Sequence, residues 1–235
     1  LVGWNVGCAG TLWNGMTWRF LPSDFKTLSH NVERYGKDAI LPGLQVQDWG
    51  VTYDELEPYY DKFERIAGTS GKAGNIQGRK IEGGNVFEGP RSRDYPLPPL
   101  QRTRSTELFD KAAKDLGWHP FAGPASNTSG AYTNPLGVKM APCTYCGYCE
   151  FFGCGNWSKS SPNACVVPAL ITRTNFTLIP NAEVLKVNLA SDRKTATGVT
   201  FVDADQQEWE QPADIVVLSA YQFDNVRLML LSGIG

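Results

Sequence analysis

Apolar and polar positions follow two rhythms along this chain, and the change falls near residue 163. Before it, apolar residues come singly or at helical spacing, between long stretches rich in glycine, proline and arginine. The run 53–64, Tyr-Asp-Glu-Leu-Glu-Pro-Tyr-Tyr-Asp-Lys-Phe-Glu, predicts a short helix with Thr52 or Asp54 as its N-cap, while the rest of 21–70 reads as loop. A second helix is predicted over 104–117, with Leu108, Ala112, Ala113 and Leu116 on one face and Gly117 at its end. Residues 68–100 and 120–142 carry turn chemistry and read as irregular connections. After 163 the pattern alternates. Stretches 176–180, 183–190, 198–203 and 207–211 predict strands, the last three as an antiparallel hairpin unit with a turn at Lys194-Thr195. The run Ile-Val-Val-Leu within 214–219 predicts a buried strand, followed by a helix over 224–231. A closing strand-turn-helix is how a doubly wound nucleotide-binding sheet is completed. The expected fold class is therefore α/β (α+β overall), with an incomplete Rossmann-like doubly wound domain and an inserted region.

Composition adds exclusions. A chain of 235 residues is one large domain or two small ones, and 42% hydrophobic with 20% charged residues is ordinary for a globular protein. A net charge of -2 gives no case for a nucleic-acid or anionic-membrane partner. No apolar run approaches the roughly 18–20 residues of a membrane span. The chain opens on Leu1 and stops at Ser232-Gly233-Ile234-Gly235, directly after a helical run, so both ends are expected to be truncations of a longer protein.

Two segments carry candidate chemistry. The first is Asn5-Val6-Gly7-Cys8-Ala9-Gly10-Thr11-Leu12-Trp13-Asn14-Gly15-Met16-Thr17. Its glycines allow close backbone approach to a ligand, and consecutive amides can cradle a pyrophosphate, although the composition equally describes a tight surface turn. The second is Cys143-x2-Cys146-x2-Cys149-x4-Cys154, four of the six cysteines. Thiolates at such spacing can converge on a metal or an iron–sulfur cluster; zinc, disulfides and reduced buried thiols stay open as alternatives. Cys165 reads as a core residue. His30 and His119 occupy no metal or catalytic motif, and Glu55 and Glu57 read as solvated carboxylates. Arg19, just after the glycine loop, is placed either against a phosphate or acidic substrate or in a structural salt bridge.

The glycine loop resembles the first flavin motif of the glucose-methanol-choline oxidoreductase family, with Gly7, Gly10, Thr11, Asn14, Gly15, Met16 and Thr17 at matching places and Cys8-Ala9 where Gly-Gly is common. Further along, Trp18-Arg19-Phe20 and the run from Asp48 to Tyr60 are similar to the bacterial gluconate, sorbitol and fructose dehydrogenase branch. Ser219-Ala220 and the run Asn225 to Gly235 resemble the second family signature, with departures at Tyr221, Asp224 and Asn225. The resemblance implies FAD held by the loop residues together with Val184 and Ala220, the opening and closing segments sharing one dinucleotide. It implies a layout in which 1–20 and 163–235 form the FAD-binding domain, 21–142 the substrate side and 143–162 a cysteine-rich loop. It implies oxidation of a hydroxyl of a sugar, polyol or sugar acid, with the catalytic base expected beyond Gly235. It further implies a three-iron (3Fe-4S) cluster on three of Cys143, Cys146, Cys149 and Cys154, a cytochrome c subunit and a small subunit as partners, and a periplasmic location held to the inner membrane only through a partner. The rival readings are a non-catalytic electron-transfer module built on the cysteines and an oxygen-using oxidase of the same family.

Overall fold

The computed structural model describes residues 3–235, which fall into two compact units, Gly3–Arg173 and Thr174–Gly235.

Helices and turns build the first unit. Its helices are α1 (Thr27–Tyr35), α2 (Tyr53–Ala67), α3 (Arg104–Asp115) and the single turns α4 (Pro162–Cys165) and α5 (Val167–Leu170). Two-residue antiparallel hairpins join β1 (Asn75–Ile76) to β2 (Arg79–Lys80) and β3 (Tyr132–Thr133) to β4 (Lys139–Met140). Helix α2 begins as predicted. The Thr52 hydroxyl accepts from the Glu55 amide at 3.3 Å while the Glu55 carboxylate accepts from the Thr52 amide at 2.7 Å, so two orphan donors of the first turn are satisfied reciprocally. Helix α1 lies where a loop was expected; its Leu28, Val32 and Tyr35 fall at i, i+4 and i+7, and Gly36 ends it. Helix α3 forms as predicted, but only Ala113 of its apolar face is buried.

The apolar centre of this unit is aromatic. Phe25 is 1% exposed and meets Phe20, Trp49 and Tyr53 edge-on, with centroids 5.4–6.4 Å away. Beside it lies an ionic core. Residues Glu57, Asp61 and Glu64 fall at i, i+4 and i+7 on α2, so they share one face. Glu64 accepts from Arg19 Nε at 2.8 Å and Nη2 at 2.9 Å, and from Arg91 Nη2 on its other side. Arg91 continues to Glu88 at 2.7 Å and lies over the Tyr95 ring at 3.8 Å. Glu57 pairs with Arg19 at 3.0 Å and accepts from the Ser92 amide, which corrects the expectation of a solvated carboxylate. Glu55 is consumed by the cap.

A third core is made of hydroxyls. Segment 124–128 pairs by isolated bridges with Met16, Ser70 and Lys159. Thr69, Ser126, Thr128 and Ser158 are all 0% exposed. The Ser126 hydroxyl bonds to those of Thr17 at 2.6 Å and Thr69 at 2.9 Å, and Ser70 donates to the Asn127 carbonyl at 2.8 Å.

The second unit is an antiparallel sheet of β5 (Glu183–Leu189), β6 (Ala196–Val202) and β7 (Glu208–Pro212), in that order, followed by α6 (Gln222–Ser232). The predicted hairpin unit is therefore present, within one or two residues at each end. Val184 faces Phe201, and a bulge follows before Lys186 meets Thr200. The Val187 amide donates to Ser232 Oγ at 2.8 Å, which fastens the end of α6 to β5.

Mixed α and β content agrees with the expected class. Two predicted strands do not form: 176–180 and 214–219 run without ladder pairing. A parallel strand needs a neighbour to take its amides and carbonyls. No described strand pairs with 214–219, and Ile215 and Val217 are 80% and 76% exposed. The doubly wound parallel sheet is thus not assembled among the described residues.

Candidate cofactor site

The glycine segment folds into a short left-handed turn and a single 3-10 turn. Gly7 has φ 93° and Cys8 has φ 46°, and the 3-10 turn Cys8–Thr11 follows. Thr11 is buried and donates its hydroxyl to the Cys8 carbonyl at 2.8 Å. Asn14 accepts from the Met16 amide at 3.0 Å, and Thr17 donates to the Gly15 carbonyl at 2.8 Å. The two threonines and Asn14 therefore shape the loop, and Cys8, which is exposed, faces away from the core.

What crowds the glycines is protein. A Cβ at Gly10 would lie 2.7 Å from Pro162, and one at Gly7 would lie 3.0 Å from Asn163 Oδ1. Gly15, at φ +91°, sits under Asn127, whose Oδ1 occupies the space a Cβ would need. Three buried polar atoms around this loop make no hydrogen bond within the chain: Trp13 Nε1, Asn127 Oδ1 and Asn163 Oδ1. Buried donors and acceptors without partners cost about 1–3 kcal/mol each. One donor and two acceptors left open around a glycine loop fit a polar ligand lying there, and FAD presents both kinds of group. Val184 and Ala220 belong to the second unit. Val184 lies on β5, an edge strand of its sheet, and the Ala220 amide donates to Asn225 Oδ1 at 3.0 Å. Asn225, one of the departures from the family signature, thus fixes the turn into α6.

The cysteine loop wraps against the glycine loop. Phe151 donates its amide to the Leu12 carbonyl at 2.8 Å. Tight turning comes from positive φ at Tyr145, Gly147, Phe151 and Trp157. The thiols of Cys143, Cys146, Cys149 and Cys154 are free, and no group of three or more metal-ligating side chains is gathered among the described residues. Three of these sulfurs have separate local partners. Cys143 accepts from the Tyr145 amide at 3.4 Å, Cys149 from Asn127 Nδ2 at 3.5 Å and Cys154 from the Lys159 amide at 3.4 Å. Among the described residues the sulfurs are thus not gathered into the metal or cluster site that the spacing allowed. Burial raises the Cys149 thiol pKa and neighbouring Cys143 adds to this, while the Lys159 charge opposes it. Cys165 is buried as expected, and burial pushes its pKa up to about 11.

Arg19 resolves toward its structural alternative. Its guanidinium is filled by Glu57, Glu64 and Tyr53, which leaves it no free fork for a phosphate or a substrate carboxylate. His119 is exposed and His30 half-buried. The residue that the sequence reading overlooked is Lys159. It is 0% exposed, and its ammonium donates to the carbonyls of Thr11, Trp13, Cys149 and Phe152.

Comparison with known proteins decides the family. The model for GMC oxidoreductases matches residues 45–235. The chain belongs to the GMC oxidoreductase family. Membership implies FAD as cofactor and a Rossmann-like FAD-binding fold. The glycine loop precedes the matched region, but whole-chain similarity covers it. A gluconate 2-dehydrogenase flavoprotein from Pantoea cypripedii is 50% identical over 100% of this chain and 39% of its own length. A 2-methyl-1,2-propanediol dehydrogenase from Mycolicibacterium austroafricanum is 31% identical over 97% of this chain and 36% of its own. A fructose dehydrogenase large subunit from Gluconobacter japonicus is 25% identical over 96% and 37%. The chain spans less than two fifths of the length of these relatives.

Proposed function

We propose that the complete protein is an FAD-dependent dehydrogenase that oxidises a hydroxyl group of a sugar, polyol or sugar acid. The observation that carries this reading is the 50% identity to a gluconate 2-dehydrogenase flavoprotein along the whole chain. The unpartnered Trp13, Asn127 and Asn163 atoms around the glycine loop support it. When bound, FAD supplies the acceptor for the hydride leaving the carbinol carbon. This chain's residues hold and orient: Gly7, Gly10 and Gly15 let Asn163, Pro162 and Asn127 close on the loop backbone, and Thr11, Asn14 and Thr17 fix its shape. Val184 and Ala220 keep the cofactor contacts that the family likeness implies for them, and residues 21–142 supply substrate-side structure. No residue described here takes the hydroxyl proton, a role assigned to a histidine outside this chain.

A cluster on the cysteine loop, a cytochrome or quinone acceptor, a small subunit and a periplasmic location belong to the proposal as the family likeness implies them. The test uses the full-length protein, assayed for bound flavin and for reduction of an artificial dye with gluconate, sorbitol, fructose and glucose. Dye reduction with at least one of these, by flavin-loaded protein, is the expected result. Absence of flavin from pure protein would sink the reading. Oxygen consumption matching dye turnover would move it to the oxidase alternative, and iron and acid-labile sulfide per chain decide the cluster.

A further inference from the structure

Among the described residues, Lys159 is a buried cation that meets carbonyls and no carboxylate. Its side chain is wholly buried and its ammonium has three protons to place. A buried ammonium is kept only where enough acceptors surround it. The acceptors here come from two segments far apart in sequence. Thr11 and Trp13 offer carbonyls at 3.2 and 2.6 Å from the glycine loop; Cys149 and Phe152, the latter at 2.8 Å, offer them from the cysteine loop. Between the two glycine-loop carbonyls, Leu12 accepts the Phe151 amide at 2.8 Å. Three successive carbonyls of one loop are therefore taken up by the other loop and by one lysine. The main chain of Lys159 is fixed as well, by its amide on Cys154 Sγ at 3.4 Å and by its bridge to Asn127. No helix or ladder bond takes these carbonyls, so the ammonium does what a ladder does elsewhere.

We propose that Lys159 is a positioning residue: as an internal cation it clamps the cysteine-bearing loop onto the glycine loop, so that the backbone expected to hold FAD keeps its shape only while the cysteine loop is docked. This deepens the flavin reading and rests on it for the ligand; the clamp itself does not.

The test uses the full-length protein and the variants Lys159→Met and Lys159→Arg. Hydrogen exchange is followed by mass spectrometry on three peptides: one spanning Leu12 and Trp13, one spanning Phe151, and one within α2 as a control for global opening. Bound flavin per chain is measured in parallel. In Lys159→Met, exchange of both loop peptides is expected to rise about tenfold together while the α2 peptide is unchanged, and bound flavin is expected to fall. Lys159→Arg, which keeps the charge, is expected to hold more flavin than Lys159→Met. Unchanged exchange in both loops, or a rise in one loop alone, overturns the clamp. If α2 rises in step with the loops, Lys159 is an ordinary stabilising residue and the proposal fails. If Lys159→Met does not fold, the arginine variant decides: loop exchange as in the wild type supports the clamp, and loops opened with α2 quiet but no flavin lost overturns it. Wild-type protein without flavin would defeat the functional reading while leaving the exchange arms able to judge the clamp.

Discussion

Removing the Glu64 carboxylate tests whether the ionic core holds the first unit together. Glu64 has a side chain 2% exposed and stands between Arg19, 3% exposed, and Arg91, 0% exposed. It accepts two bonds from Arg19 and one from Arg91. Glu64→Ala leaves both guanidinium groups buried, with only Glu57 and Glu88 to share between them. Breaking a buried pair by deleting one partner costs about 3–5 kcal/mol, because the stranded charge cannot recover its hydration. With a urea slope of about 2 kcal/mol/M, that moves the unfolding midpoint down by about 2 M. The built-in control is Arg104→Ala. Arg104 pairs with Glu107 at 3.3 Å, but the side chains are 80% and 52% exposed, and such a pair contributes about 0.5 kcal/mol or less. Urea melts of the full-length protein, followed by far-UV circular dichroism, compare the two. A Glu64→Ala midpoint no lower than that of Arg104→Ala would refute the reasoning. Glu64→Gln, which keeps shape and some hydrogen bonding, is expected between them.

Three further outcomes are expected. Thr52→Ala removes the reciprocal cap of α2 and should cost about 1 kcal/mol in a urea melt, with no change in bound flavin. Gly15→Ala places a Cβ where Asn127 Oδ1 now lies, at φ +91°, and should cost about 1–3 kcal/mol and lower the flavin content measured by absorbance. Asp61 is held below the ordinary carboxylate pKa chiefly by its hydrogen bonds from Arg93. Its contribution is therefore present above the unfolded value of about 3.9 and lost as pH falls through the lower folded value. Asp61→Asn should lose about 1 kcal/mol or less at neutral pH, since Arg93 is 61% exposed, and should flatten the stability profile below about pH 4.

Local patterns were legible in the sequence, and encounters between distant segments were not. The capping box is written in Thr52 and Glu55, and the three strands of the second unit are written in alternation and turn residues. Helix α1 was legible too, in Leu28, Val32 and Tyr35, but its polar composition hid the spacing. The run 214–219 misled because a row of β-branched residues states a preference for extended backbone and says nothing about which strand will pair with it. The glycine loop was singled out from its string of matches. Its chemistry, however, depends on Asn127, Lys159 and Asn163, more than 100 residues away, and no period links them to Gly7 or Gly15. The face of Glu57, Asp61 and Glu64 was readable at i, i+4 and i+7, but Arg19, Arg91 and Arg93, which neutralise it, come from two separate loops. The cysteines show the limit of spacing: three of four thiols close in sequence accept from different neighbours.

The hydroxyl core around Ser126 has a thermodynamic consequence. Exposing apolar surface raises the heat capacity on unfolding by about 0.45 cal/K/mol per Å², whereas exposing polar surface lowers it by about 0.26. A centre where Thr69, Ser126, Thr128 and Ser158 are wholly buried offsets part of the increment from the aromatic cluster. The stability curve of this region should therefore be broad and shallow for its size, with less loss on cooling than an aliphatic interior would give.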